Sequence, residues 1–336
     1  MHRKPKDTDF LYISASLRCQ ENSLLSRERM ERMLEARTND EAAKVLMECG
    51  YKDLEPLTAQ SLTRSLDQAR AETFAELAKY APNTDIVDVF RIKYDYHNAK
   101  ALIKAAVTGQ NVAGMLIDAG RYSLDAITAA TRLGDEEAPN TALTEAMQKA
   151  VTEAVDVLAA TADPQKSDFL LDKACYGEML ETAVRSRSSF LLGYVKLQID
   201  AANLKAAVRC LRMGKDAEFL KRVLLPGGNI SEEEVLTATL SGGNLENTFF
   251  GDLQEAARIG TAAISGGRQT EFEKAVDNAL GAYLKGSHMV PFGDAVLIAF
   301  AAAKENEITA ARIIMSGRLS GVPADSIRER LRDSYV

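Results

Sequence analysis

The sequence predicts an all-α protein made of three similar helical domains. Three observations carry that reading. A pattern centred on Asn98, Asn203 and Asn306 recurs at intervals of just over one hundred residues. Helix caps and Gly/Pro breaks divide nearly all of the chain into amphipathic segments. No stretch shows sustained apolar/polar alternation or a strand–turn–strand signal. Internal repetition is the strongest of the three, because a period of this kind sets the architecture of the whole chain.

Along the chain, Ser26 precedes RERMERMLEA, Thr38-Asn39-Asp40 precedes EAAKVLMEC, and Ser231 precedes EEEVLTATL. A side-chain oxygen at such a place accepts from the free N–H groups of a first turn, and acids there suit the helix dipole. Stops fall at Gly109, Gly120, Pro139-Asn140, Pro226-Gly227-Gly228, Gly242-Gly243, Gly266-Gly267 and Pro291. After each Asn-centred helix a glycine-bearing turn leads into another helix: Gly120-Arg121-Tyr122-Ser123, Gly228-Asn229-Ile230-Ser231 and Gly321-Val322-Pro323. Pro323 suits a first turn, where no N–H is needed. The units run over residues 1–125, 126–237 and 238–336.

Each Asn is followed six positions on by a cation (Lys104, Arg209, Arg312) and eleven on by a glycine (Gly109, Gly214, Gly317). Six positions earlier stands Ile92, Leu197 or Phe300. At helical spacing the Asn, the glycine and the large apolar residue share one face, which is otherwise apolar or small and is expected to be buried. Asp95 and Asp200 lie on it three residues before their Asn; the third unit has Ala303 there. A buried amide needs partners or costs about 1–3 kcal/mol. The Asn and Asp residues are therefore expected to fix helix register, with binding of an ion or partner as the alternative. The small residues near the end of the face allow close helix approach. Lys93, His97, Lys100 and Lys104 line a second face, matched by Lys205 and Arg209 and by Arg312. That face is either solvated or docks an acidic partner, and Lys100, Lys104, Lys205, Arg209 and Arg312 are the docking candidates.

Composition excludes several function classes. The 336 residues are 46% hydrophobic and 26% charged, ordinary for a globular protein with a large core. A net charge of −7 argues against a broad nucleic-acid surface. The basic start MHRKPK is followed by no apolar run, so it does not read as a signal peptide. The longest apolar window, Ala295 to Ala303, is far short of the roughly 20 residues of a membrane span. Cys19, Cys49, Cys175 and Cys210 form no C-x-x-C pair and read as buried small hydrophobes in a reducing compartment. Gly109 and Gly114 bracket a fragment of a phosphate loop, but Met115 stands where Lys is required. The histidines (His2, His97, His288) and cysteines have no metal-ligand spacing. Glu232-Glu233-Glu234 reads as a dipole partner rather than a carboxylate pair, and Tyr94 and Tyr96 around Asp95 read as packing rather than a ligand cage. No catalytic, cofactor or metal site is expected.

FRIKYDYHNAKALIK (Phe90 to Lys104) resembles the signature of the C subunit of bacterial and archaeal V-type ATPases, the counterpart of the d subunit in vacuolar enzymes. Tyr12 to Ala36 is similar to that family's opening, Leu171 to Ala183 to the start of its second domain, and Lys304 to Leu331 to its end. The resemblance implies three helical domains in a funnel-like, pseudo-threefold arrangement. It implies a non-catalytic central-rotor subunit without cofactors, peripheral on the cytoplasmic face of the membrane. Its implied partners are the central-shaft subunits and the membrane rotor ring, with no nucleic acid and no span of its own. A helical-repeat scaffold for another assembly is the alternative reading.

Overall fold

The computed structural model describes residues 5–52, 54–131, 143–240 and 245–336. They form helices and connecting turns, with no strand among the described residues. In order these are α1 (Leu11–Glu21), α2 (Arg27–Glu35), α3 (Asn39–Glu48), α4 (Ala59–Tyr80), α5 (Asp85–Thr108), α6 (Leu124–Ala130), α7 (Glu145–Thr161) and α8 (Pro164–Ser186). They continue as α9 (Ser189–Arg212), α10 (Ala217–Val223), α11 (Glu232–Leu240), α12 (Leu245–Thr248), α13 (Gln254–Ile264), α14 (Gln269–Lys285), α15 (Asp294–Leu319) and α16 (Ala324–Arg328). The expected breaks at Pro139-Asn140 and Gly242-Gly243 lie outside the described residues.

The caps act as their chemistry requires. Ser26 accepts from the Arg29 N–H at the start of α2, and Thr38 from the Glu41 N–H at the start of α3. Ser231 and Glu234 satisfy each other's backbone N–H ahead of α11, at 3.2 and 2.8 Å. Gly109 and Gly214 follow α5 and α9 with φ of 66° and 60°, the left-handed conformation that ends a helix and that glycine adopts without strain.

The three Asn-bearing helices α5, α9 and α15 each reach helices that precede the next Asn-bearing helix. α5 packs chiefly against α8; α9 packs most against α13, then α8, and less against α14; α15 packs chiefly against α4. The last pairing closes a cycle, because α4 belongs to the start of the chain. One apolar cluster accordingly joins Leu25, Met33, Leu46, Leu62 and Leu66 to Ile308, Ala311, Ile314 and Met315. A second is built around α9 and α10 to α14. The largest joins α5, α7 and α8 to the first halves of α9 and α15.

Residues Ala295 to Ala303 are buried, none more than 9% exposed, and nearly all of them lie inside this largest cluster, which accounts for their unbroken apolar run. No helix of the described residues is long and apolar enough to cross a membrane. Of the four cysteines, three are buried as expected. Cys19 is instead exposed, because it lies on the side of α1 away from the buried Ile13 and Leu17.

Candidate functional site

The polar residues inside the repeated apolar face hold returning chain. The Asn98 side chain donates to the Ile117 carbonyl at 2.8 Å and accepts from the Ile117 N–H at 2.9 Å. Asn203 does the same to Leu225, both bonds 2.8 Å. One amide thus satisfies both backbone groups of a single residue in the segment that returns along the helix.

The aspartates clamp the next turn of the same segment. Asp95 accepts from the Arg121 N–H (2.9 Å), the Tyr122 N–H (3.3 Å) and Arg121 Nε (2.7 Å). Asp200 accepts from the Asn229 N–H (3.1 Å), Asn229 Nδ2 (2.8 Å) and the Ile230 N–H (3.2 Å). A Cβ at Gly120 or Gly228 would stand 2.1 Å from the carboxylate oxygen, so each glycine makes room for its own clamp. Burial pushes both carboxyls above their usual range, although these bonds pull the other way. Arg121 continues from Asp95 to Glu178 on α8 at 2.8 Å. Burial opposes ionisation of Glu178, yet Arg121, Thr144 and Tyr96 outweigh it and hold its carboxyl below the ordinary value.

The third unit departs from the expectation. Asn306 is exposed, and its side chain makes no hydrogen bond among the described residues. The physical reason lies in the chain beyond it. α15 runs past Gly317 to Leu319, and the chain turns at Gly321 (φ 69°) into α16, so the register of helix end and returning segment is shifted. Gly317 is therefore inside a helix, where a Cβ would meet the Ile327 side chain at 2.8 Å; close approach is its role there, not helix termination.

The neighbours of Asn306 take over the polar work. Glu307 accepts from the Leu25 N–H (2.6 Å) and the Tyr51 hydroxyl (2.7 Å) and pairs with Lys304 (2.5 Å). Glu305 gathers Arg70 of α4 (3.1 Å) with Lys93 (2.7 Å) and the Tyr94 hydroxyl of α5. Burial opposes the charge on Glu305, but the two cations and the hydrogen bonds hold its carboxyl below the ordinary range. Burial and Glu305 together push Tyr94 up to about 12.

Most of the cations expected to dock a partner are engaged within the chain. Lys100 pairs with Asp172 and Lys104 with Asp168 (2.7 Å), both on α8. Lys205 pairs with Asp277 on α14 (2.7 Å), which also receives Arg332 (2.9 Å). Arg312 reaches Asp67 on α4 at 3.4 Å. Arg209 is exposed, and its guanidinium makes no hydrogen bond or ion pair among the described residues. The described residues contain no group of three or more His, Cys, Asp or Glu able to hold a metal.

A sequence model of the ATP synthase (C/AC39) subunit family matches residues 13–330. The chain belongs to this family. It is 24% identical to the C subunit of the V-type sodium ATPase of Enterococcus hirae over 328 residues, covering 96% of this chain and 98% of that one. It is 22% identical to the C subunit of the A-type ATP synthase of Desulfurococcus sp. over 345 residues (96% and 91%). It is 24% identical to that of Pyrococcus horikoshii over 324 residues (90% and 85%).

In this member of the C/AC39 family, the residues that sequence reasoning missed carried a readable signal. Asp67, Asp172 and Asp277 recur at a constant interval of 105 residues, the interval that separates Asn98 from Asn203. Each accepts the cation of the Asn-bearing helix packed against it, so one aspartate marks each seam. Glu305 and Glu307 carry no such signal, since the matching positions of the other units hold His97 and Ala202, and Ala99 and Leu204.

Proposed function

We propose that the chain is a non-catalytic subunit of the central rotor of a V-type or A-type ATPase. In this reading it couples the central shaft to the membrane rotor ring during ATP-linked ion transport, seated peripherally on the cytoplasmic face. The match of the C/AC39 family over nearly the whole chain is the observation that carries the proposal. The packing is consistent with it. A torque coupling must be stiff and needs no reactive pocket, and here the buried polar residues hold helices and returning segments to one another. We read residues 1–125, 126–237 and 238–336 as three repeats around a pseudo-threefold axis, each Asn-bearing helix docking on the repeat that follows it cyclically.

The test is co-purification of the tagged full chain expressed with the central-shaft and rotor-ring subunits of a V-type or A-type ATPase. Stoichiometric recovery of both is expected. Recovery of neither would overturn the proposal.

A further inference from the structure

One position of the repeat differs in all three units, and in the second it leaves a hole. The residue before the Asn is His97, Ala202 or Glu305. In the first unit, His97 Nε2 reaches across to the Met115 carbonyl at 3.0 Å and ties the helix to the returning segment. Glu305 is drawn into its cluster of cations. Ala202 has only a methyl group. It lines the same hollow as Val223, which holds the place in the second returning segment that Met115 holds in the first, two residues before the clamped Leu225 or Ile117.

Between them lies a cavity of about 430 Å³, a size that suits a small ligand. Its wall is apolar: Phe169 and Phe219 meet edge to face at 5.6 Å, beside Ala206. Two cations line it, Lys205 and Arg209. Lys205 is committed to Asp277, and the anion in the wall, Asp172, to Lys100. Among the described residues, Arg209 alone of the five candidate docking cations makes no side-chain hydrogen bond or ion pair, and it stands at the edge of an apolar hole.

We infer that this cavity binds a single-chain amphipathic carboxylate, its hydrocarbon in the space beside Ala202 and its anionic group on Arg209. Apolar walls supply affinity without direction, and one guanidinium fixes which end of the ligand faces outward. Two further cations, Lys215 and Arg222, lie within 6 Å of the ring centre of the lining Phe219. Such binding is independent of the rotor reading, since it rests on the difference between His97 and Ala202.

Titration of the full chain with 8-anilinonaphthalene-1-sulfonate, followed by competition with decanoate and with 1-octanol, tests it. Saturable fluorescence displaced by decanoate, and poorly by the neutral alcohol, is expected. Arg209→Gln, an exposed change that leaves the fold intact, weakens decanoate binding about tenfold. Ala202→His copies the side chain of the first unit and abolishes displaceable binding with no fall in melting temperature. Equal competition by the alcohol, or decanoate binding unaltered in Arg209→Gln, would overturn the inference. So would flotation with phosphatidylglycerol vesicles without displacement by free decanoate, which would make the occupant a bilayer lipid.

Discussion

Asn203 and Asn306 occupy the same place in the repeat, yet one is buried against Leu225 and the other is exposed with no side-chain hydrogen bond among the described residues. The flanking residues explain the difference. Asp200 pins the turn that follows Leu225 in the segment returning along α9, whereas Ala303 has nothing with which to pin a turn, and α15 simply continues for another turn of helix. What the third unit lacks in local clamps it replaces with long-range ones. Glu305 and Glu307 reach α4, α5 and the segment around Leu25, far away in sequence. The repeated signature thus marks where a helix lies, while the contacts are decided by the chain that passes beside it.

The contrast between these units yields graded expectations. Glu307→Ala has the largest effect, because Lys304, the Tyr51 hydroxyl and the Leu25 N–H all lose a buried partner. A loss of about 3–5 kcal/mol in urea denaturation is expected. A loss below about 1 kcal/mol would show that the third unit does not lean on this carboxylate.

Glu305→Gln follows, at about 1.5–3 kcal/mol near neutral pH, the range for hydrogen bonds to a charged group. Its folded carboxyl lies below the ordinary value of 4.5, so the stabilisation is present above that value and is lost as pH falls through the folded one. The gap between wild type and variant should therefore be flat from about pH 6 to 8 and should narrow below about pH 4.5. A gap that widened in acid would contradict the ion-pair account.

Next comes the paired test of the Asn residues. Asn203→Leu and Asn98→Leu each leave a backbone N–H and carbonyl without partners and should cost about 1–3 kcal/mol in thermal denaturation. Asn306→Leu should stay within about 0.5 kcal/mol. Equal losses at all three positions would restore the symmetric picture. Smallest is Lys205→Ala: its pair with Asp277 is about one-third exposed, and an effect of at most about 1 kcal/mol is expected, shrinking as salt is raised.

Much of this was legible in the sequence, for reasons that are local. Ser26, Thr38 and Ser231 announce helix starts because a cap acts within four residues of itself. The buried amides were legible at Asn98 and Asn203, where a polar residue interrupts an apolar face. The same logic failed at Asn306 because its burial depended on a returning segment that no periodicity announces. The docking expectation was altered by contacts of the same kind: Lys100 and Lys205 meet aspartates 72 residues further on, although the spacing of Asp67, Asp172 and Asp277 stood in the sequence to be read. The gap beside Ala202 appears only once Val223 is seen across from it, since an alanine in a helix carries no signal of what it fails to fill.

The pairing of α15 with α1 to α4 has a consequence for biosynthesis. Helices emerging first from the ribosome bury their apolar sides against one made much later, with 242 residues separating even Leu66 from Ile308, so Leu46, Leu62 and Leu66 stay without that shelter until translation is nearly complete. The middle of the polypeptide, by contrast, can begin to pack once α8 follows α5, although its core is completed only by α9 and α15. The earliest-made part is thus the last to mature, and it is where a chaperone would be held longest.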